Sequence, residues 1–393
     1  MWQPLELILL ILQIAIGFHL FFPFGLLLLS KFTRRKENKI TLSEIAELDF
    51  AVIITAYEEI FHLPQVVDSI LKQNYQNYLI YIVADKCDIS NLKFDDERVI
   101  LLKPEKVIGS NTGSHEYALN SFKRLHDVIT IIDSDNLLHA NYLNALSKKF
   151  SLGFKAVQGI REAKNLNSTY ACLDAARDIY YHFYDGEVLS NAGSSATLAG
   201  SGMAFNNTLY QSFLKQNKVS GAGFDKVLQY WLLRQDIKIA FTNEAIVYDE
   251  KTSQPDQLVK QRSRWINTWF KYFKYGFKIV YFGIKNFSIN QFLFGLVLLR
   301  PPLFIFLLLS LFALGANLFF NLNYWIWIIG FISFISSFFI ALFNSETDKR
   351  IYASLINIPK FIFFQILSLT KIRRANSISV ATKHSVDINT STK

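Results

Sequence analysis

Residues 5–29 are almost wholly apolar, and no other feature constrains this chain as tightly. As a helix the run is long enough to cross about 30 Å of hydrocarbon. A secretory signal peptide would carry positive charge ahead of a short apolar stretch. Here residues 1–5 have none, and Lys31, Arg34, Arg35 and Lys36 follow the run instead. The positive-inside rule then makes 1–30 an anchor, with its N-terminus outside and residue 31 onward in the cytoplasm.

Residues 301–320 are a second run of spanning length, and 325–343 a third after a short turn, so 301–343 reads as a transmembrane hairpin. The run 351–370 carries Asn357, Pro359 and Lys360. A crossing there would put Lys371, Arg373 and Arg374 outside, so an interfacial or re-entrant helix is expected. The tail 371–393 is polar, and from 377 it is rich in Ser and Thr and expected to be disordered. Charged residues are 19% of the 393, too many for a bundle buried entirely in lipid. A soluble domain at 50–256, behind a basic linker at 31–49, accommodates them. Cys87 and Cys172 are too few for a disulfide framework, and no Cys/His cluster offers a zinc site.

Within the middle, 51–56 (AVIITA), 78–84 (YLIYIVA), 98–103 (RVILLK) and 127–132 (DVITII) read as strands. Residues 58–74 and 116–125 between them carry apolar side chains at helical spacing. Alternation of this kind predicts a mostly parallel α/β sheet with ligands beyond the carboxyl ends of the strands. Three of the four strands run into acidic residues there: Tyr57-Glu58-Glu59, Asp85 with Asp88, and Asp133-Ser134-Asp135. A single such ending is explained by turn formation; three in succession are less so. No phosphate-binding glycine loop is present, so a bound nucleotide would depend on carboxylates, a divalent cation and basic side chains.

Two carboxylates flanking a small residue, as in Asp133-Ser134-Asp135, can both approach one hard cation such as Mg²⁺. Gly200-Ser201-Gly202 precedes a helix expected at 208–216 and allows close backbone approach to a substrate. Asp225 heads an amphipathic helix at 226–234, as an N-cap or as a base for a sugar hydroxyl. Gln261-Arg262-Ser263-Arg264-Trp265 opens a basic, aromatic segment, 257–300, with Trp265, Trp269 and Phe273 at i, i+4, i+8. With spans adjoining it, lipid rather than nucleic acid is the expected partner.

Taken in order, these features resemble the membrane-bound glycosyltransferase family 2 enzymes of GT-A fold, the group of the cellulose, chitin, hyaluronan and poly-N-acetylglucosamine synthases. The resemblance covers roughly 50–265. TAYEE at 55–59 is similar to the family's first-strand element, and GSHEYALN at 113–120 to its glycine-lysine-alanine-leucine-asparagine segment. Asp133 and Asp135 match its DxD, and Gln261, Arg264 and Trp265 its QxxRW. Four positions depart from the pattern: Glu58 stands for Asn, Ser114-His115 where a lysine is expected, Gly202 for Asn, and Phe224 for Glu before Asp225.

The resemblance implies a Rossmann-like GT-A domain and inverting sugar transfer from a nucleotide-diphosphate sugar, with a UDP-sugar as the expected donor. Tyr57, Glu59, Asp85, Asp88 and Ser134 would line the nucleotide, and Asp133 and Asp135 would hold Mg²⁺ or Mn²⁺. Asp225 would be the catalytic base. Gly200, Ser201, Gly202, Gln261, Arg262, Arg264 and Trp265 would meet the acceptor and diphosphate. The expected setting is the bacterial inner membrane, catalytic domain in the cytoplasm, with a glycan acceptor. A polyprenyl-phosphate or glycolipid acceptor is an alternative, and a transferase-like scaffold or transport subunit a further one.

Overall fold

The computed structural model describes residues 3–33, 45–219 and 221–371. Arg34, Arg35, Lys36, the linker as far as residue 44 and the tail from 372 lie outside the described residues. The described strands are β1 (Phe50–Tyr57), β2 (Tyr78–Asp85), β3 (Val99–Leu102), β4 (Val128–Asp133), β5 (Leu137–Leu138), β6 (Ala156–Ala163), β7 (Met203–Asn206) and β8 (Ile239–Asp249). They form one sheet in the order β3-β2-β1-β4-β7-β6-β8-β5. The first four are parallel, as expected. β7 then runs antiparallel to both β4 and β6, which makes the sheet mixed.

β1 shows why the centre is a sheet covered on both faces. Phe50, Val52, Ile54 and Ala56 face a cluster with Leu63, Val66, Val67 and Ile70 of the helix Leu63–Leu71. Ala51 and Ile53 face the opposite core. The period-2 alternation of an all-apolar strand thus feeds two layers. The two helices between the first strands shift from their predicted bounds. The first begins at Leu63 because Pro64 fixes its opening turn. The second is Asn111–Asn120, where Ser110 Oγ accepts from Gly113 N and caps it.

Among the described residues, three helices are long and apolar enough to cross a membrane: Glu6–Thr33, Trp325–Asn344 and Lys349–Leu369. The run expected at 301–320 is the helix Leu303–Phe319, which qualifies only with Ile289–Leu299, from which it bends by 74°. The bend has a sequence cause. Arg300 precedes Pro301 and Pro302, its backbone is extended (φ −62°, ψ 121°), and two prolines cannot continue the preceding helix. Lys349–Leu369 has mean hydropathy 1.4, below the 2.3 and 2.4 of the others. Its Phe361 packs on Leu173 and Leu258, residues of helices attached to the sheet domain. One hydrophobic cluster runs from Ile131 and Met203 of the sheet through Tyr180 and Tyr184 to Leu20, Phe306 and Trp327 of the apolar helices.

Candidate active site

β4 delivers Asp133 to the carboxyl edge of the sheet, and β7 starts beside it. The segment leading into β7 braces the turn that follows Asp133. Ser201 Oγ, fully buried, accepts from Asp133 N at 3.1 Å and lies 2.8 Å from the Asn136 amide. With its oxygen toward Ser201, Asn136 donates to Asp135 Oδ1 (3.1 Å) and Asp249 Oδ1 (3.3 Å). Gln158 Nε2 donates to the carbonyls of Ser201 and Gly202, both at 3.1 Å, and its Oε1 accepts from Ala199 N. Gly202 has φ +68°, and a Cβ there would sit 2.9 Å from Val247. An Asn at that position would clash, so the departure from the family pattern has a local cause. Ser201 and Gly202 therefore shape the carboxylate turn from beneath, while Gly200 lines the open cavity.

That cavity, about 570 Å³, gathers much of the expected site: Asp133, Asp135, Gly200, Asp225, Gln261, Arg262, Arg264 and Trp265. Burial first, then the charges of Asp135, Asp249 and Asp225, push the Asp133 carboxyl up to about 7, with Arg161 opposing them. Carboxylates crowded in this way favour a cation between them. Among the described residues no group of three or more His, Cys, Asp or Glu forms a metal cage. Two carboxylates open to a cavity instead suit Mg²⁺ or Mn²⁺, whose remaining positions go to phosphate oxygens and water. The donor set fits the implied ion.

Asp225 stands in the first turn of the helix Phe224–Arg234, and its Oδ2 lies 3.1 Å from Lys226 Nζ. The N-cap is Gly223 at φ +97°, where a Cβ would come within 2.6 Å of Tyr272 and 2.8 Å of Thr268. The helix carrying Asp225 is thereby set against the helix Pro255–Tyr272, which carries QRSRW.

On that second helix the two arginines diverge. Arg264 is half-buried, and the Asp133 charge acts on it, which places it at the carboxylate end of the cavity. Arg262, expected at the diphosphate, is buried and donates to Asp174. Its guanidinium and that of Arg177 lie over the Trp265 ring, 4.1 and 4.3 Å from the centroid. Gln261 Oε1 accepts from Thr252 Oγ1 at 3.2 Å.

Tyr57, Glu59, Asp85, Asp88 and Ser134 lie at the strand ends but not in the cavity wall. Asp85 is 2% exposed, and its two oxygens accept from Ile108 N (3.0 Å) and Gly109 N (2.7 Å), so it ties down the loop beside β2. Asp88 accepts from Ser90 N at 3.1 Å. Glu58, at φ +64°, pairs with Lys86 at 2.6 Å. Sequence reading missed Asp249, Arg161 and Arg177. Asp249 ends β8 and carries the same acid-at-strand-end signal as the others. The arginines have no local signature.

The mixed α/β sheet carries paired carboxylates at one strand end, and a third acid lines the same cavity; the class of protein follows from the family this domain matches. The chain belongs to the glycosyltransferase like family 2, whose model matches residues 47–268. Among solved structures it is similar to the mannosyltransferase PcManGT from Pyrobaculum calidifontis, in complex with GDP-Man and Mn²⁺. That likeness has TM-score 0.55 and 14% identity over 92% of this chain and 99% of the other, so it is one of fold. No curated protein matches the chain.

Proposed function

We propose that this chain is an inverting, metal-dependent glycosyltransferase that works at the bacterial inner membrane with its sheet domain in the cytoplasm. The observation that carries the reading is the convergence of Asp133, Asp135, Asp225 and Arg264 on one cavity. The donor is a nucleotide-diphosphate hexose. The family resemblance favours UDP, and the structural neighbour holds GDP-Man, so both bases belong in a test. Tyr57, Glu59, Asp85, Asp88 and Ser134 frame the strand ends where the nucleoside lies.

Asp133 and Asp135 would hold a divalent cation, which when bound would supply positive charge to neutralise the departing diphosphate. Arg264 orients the same diphosphate. Asp225 accepts the proton of the acceptor hydroxyl as its oxygen attacks the anomeric carbon. The new C–O bond forms as the bond from that carbon to the phosphate breaks, and the nucleoside diphosphate leaves. Attack from the face opposite the leaving group turns an α-linked donor into a β-linkage.

Residues 1–30 anchor the chain, 50–256 form the catalytic unit, and 301–343 form the hairpin, its first leg continuing the bent helix before it. The packing of Phe361 on Leu173 and Leu258 supports an interfacial place for 351–370, because a helix crossing the bilayer would leave the cytoplasmic domain. A water-soluble glycan is one acceptor. A lipid-linked one is the second reading, favoured by a cavity wall that reaches Pro301, Pro302, Leu303 and Phe304.

The test is release of nucleoside diphosphate by the full-length protein from a panel of UDP- and GDP-sugars, with Mn²⁺, Mg²⁺ or a chelator. Asp225→Asn is expected to bind donor normally and to lose about 10²–10⁴ in turnover. Normal turnover in that variant would end the assignment of Asp225 as base.

A further inference from the structure

The cavity holds a second cationic region that sugar transfer at Asp133 and Asp225 does not use. Arg161, Arg177 and Lys251 all converge on the one carboxylate of Asp178. Lys251 also pairs with Asp249 at 2.9 Å, and Arg177 shares Asp174 with Arg262, so four cations stand against the three carboxylates of Asp174, Asp178 and Asp249. Arg161 reaches Asp178 and Asp249 only at 3.9 and 3.8 Å, too long for hydrogen bonds. The buried Nε atoms of Arg161 and Arg177 have no partner among the described residues. Buried guanidinium N–H groups without acceptors are costly unless a ligand supplies the oxygens.

This region leads toward the apolar helices. The Tyr181 ring lies 5.7 Å from the Arg177 guanidinium and 5.0 Å from that of Arg300, which sits at the helix break. Beyond Arg300 the wall becomes Pro301, Pro302, Leu303 and Phe304. The order along the cavity is therefore transfer centre, guanidinium groups, apolar helices. A lipid-anchored sugar offers the same order: hydroxyl, phosphate, hydrocarbon chain.

Resting on the reading of this cavity as a sugar-transfer site, we propose that Arg161 and Arg177 form an anion subsite for the phosphate of a lipid-diphosphate-linked sugar acceptor. The acceptor hydroxyl meets Asp225, the diphosphate fills the unpaired guanidinium N–H groups, and the lipid chain leaves past residues 301–304. The acceptor's own phosphate bonds stay intact.

The test uses full-length protein in phosphatidylcholine nanodiscs, with nucleoside diphosphate and Mn²⁺ added to fill the donor side and again without them. Binding is measured for a farnesyl-diphosphate-linked hexose, a neutral farnesyl hexoside and a tail-less hexose 1-phosphate. The first is expected to bind at least tenfold more tightly than either of the others. Arg177→Gln should remove most of its advantage over the neutral hexoside. That variant leaves Asp174 and Asp178 short of a partner and could unfold. Arg161→Gln loses only long ion pairs, and it should lower the same advantage in a folded protein. Equal binding of the two farnesyl probes overturns the subsite, as does a preference untouched by Arg161→Gln. Equal binding of the tail-less phosphate overturns its lipid character. Absence of donor-dependent release overturns the transferase reading instead, and the anion preference is still read because it needs no donor sugar.

Discussion

His115 stands where the family pattern expects a lysine, and its surroundings explain the exchange. It is fully buried, its Nδ1 lies 2.7 Å from Tyr210 Oη, and its ring meets Phe224 edge-on at 5.3 Å. Phe224 is itself a departure, next to Asp225. Two unusual residues thus pack on each other and support the start of the helix that presents the proposed base. Burial pulls the His115 pKa from 6.5 down to about 3. The folded state therefore keeps this ring neutral while the unfolded chain protonates it below 6.5. Stability is full above that pH and falls by up to about 1.4 kcal/mol per pH unit as pH drops toward 3. His182, also pulled down to about 3 chiefly by burial, adds to the slope. His115→Gln is expected to lower the melting temperature at pH 7.5 but to flatten its fall between pH 6.5 and 5. An unchanged slope would mean that His115 takes up its proton in the folded protein. The paired carboxylates were legible in the sequence because strand ends announce themselves locally, and Asp225 because it heads an amphipathic helix. Asp249 carries the same strand-end signal at the close of β8, in a strand the sequence reading did not pick out. Arg161 and Arg177 join the cavity only through tertiary folding, so one-dimensional spacing gave no sign of them.

At the scale of elements, the site depends on how two helices meet. The helix Phe224–Arg234 carries Asp225, and Pro255–Tyr272 carries Arg264 and Trp265. Gly223 lies at their contact. Its φ of +97° disfavours any L side chain, and the nearest neighbours of an added Cβ are Tyr272 and Thr268. Gly223→Ala is expected to cost about 1–3 kcal/mol through backbone strain and overpacking. It should also move Asp225 away from the acceptor, so turnover should fall by more than donor affinity does. A donor affinity loss equal to the turnover loss would show that the glycine serves the donor side instead. The four parallel strands and the helix Asn207–Gln216 were readable from apolar runs and periodicity. β5, two residues long, and the π-helical turn His182–Val188 were not. Neither carries a periodic pattern, and both exist because neighbouring elements hold them.

At the scale of the whole molecule, the question is what fixes the apolar helices to the sheet domain. The shared hydrophobic cluster supplies area, but contact between apolar surfaces has little direction. Direction comes from Arg300, the residue at the helix break. Its guanidinium grips both oxygens of Asp185 in the π-helical turn, with Nη1 to Oδ1 at 3.0 Å. Both side chains are only 6% exposed. Gly186, next to Asp185, lets Phe241 of β8 approach to within 2.6 Å of where a Cβ would stand, so the turn rests directly on the sheet. The break, the turn and β8 form one mechanical path. Breaking a buried pair on one side leaves an uncompensated charge, which typically costs about 3–5 kcal/mol. Replacing both partners by apolar residues removes that charge. Arg300→Met and Asp185→Leu alone are each expected to lower the melting temperature sharply and to raise protease cleavage near the break. The double variant should recover most of the melting temperature, because the hydrophobic cluster remains. Its transfer activity should recover less, since the bidentate pair fixes the angle at the helix break, a constraint that the bond from Tyr184 Oη to the Ser337 carbonyl (3.0 Å) on the helix Trp325–Asn344 does not replace. Full recovery of both would reduce the pair to a buried charge and its partner, with no part in orienting the helices.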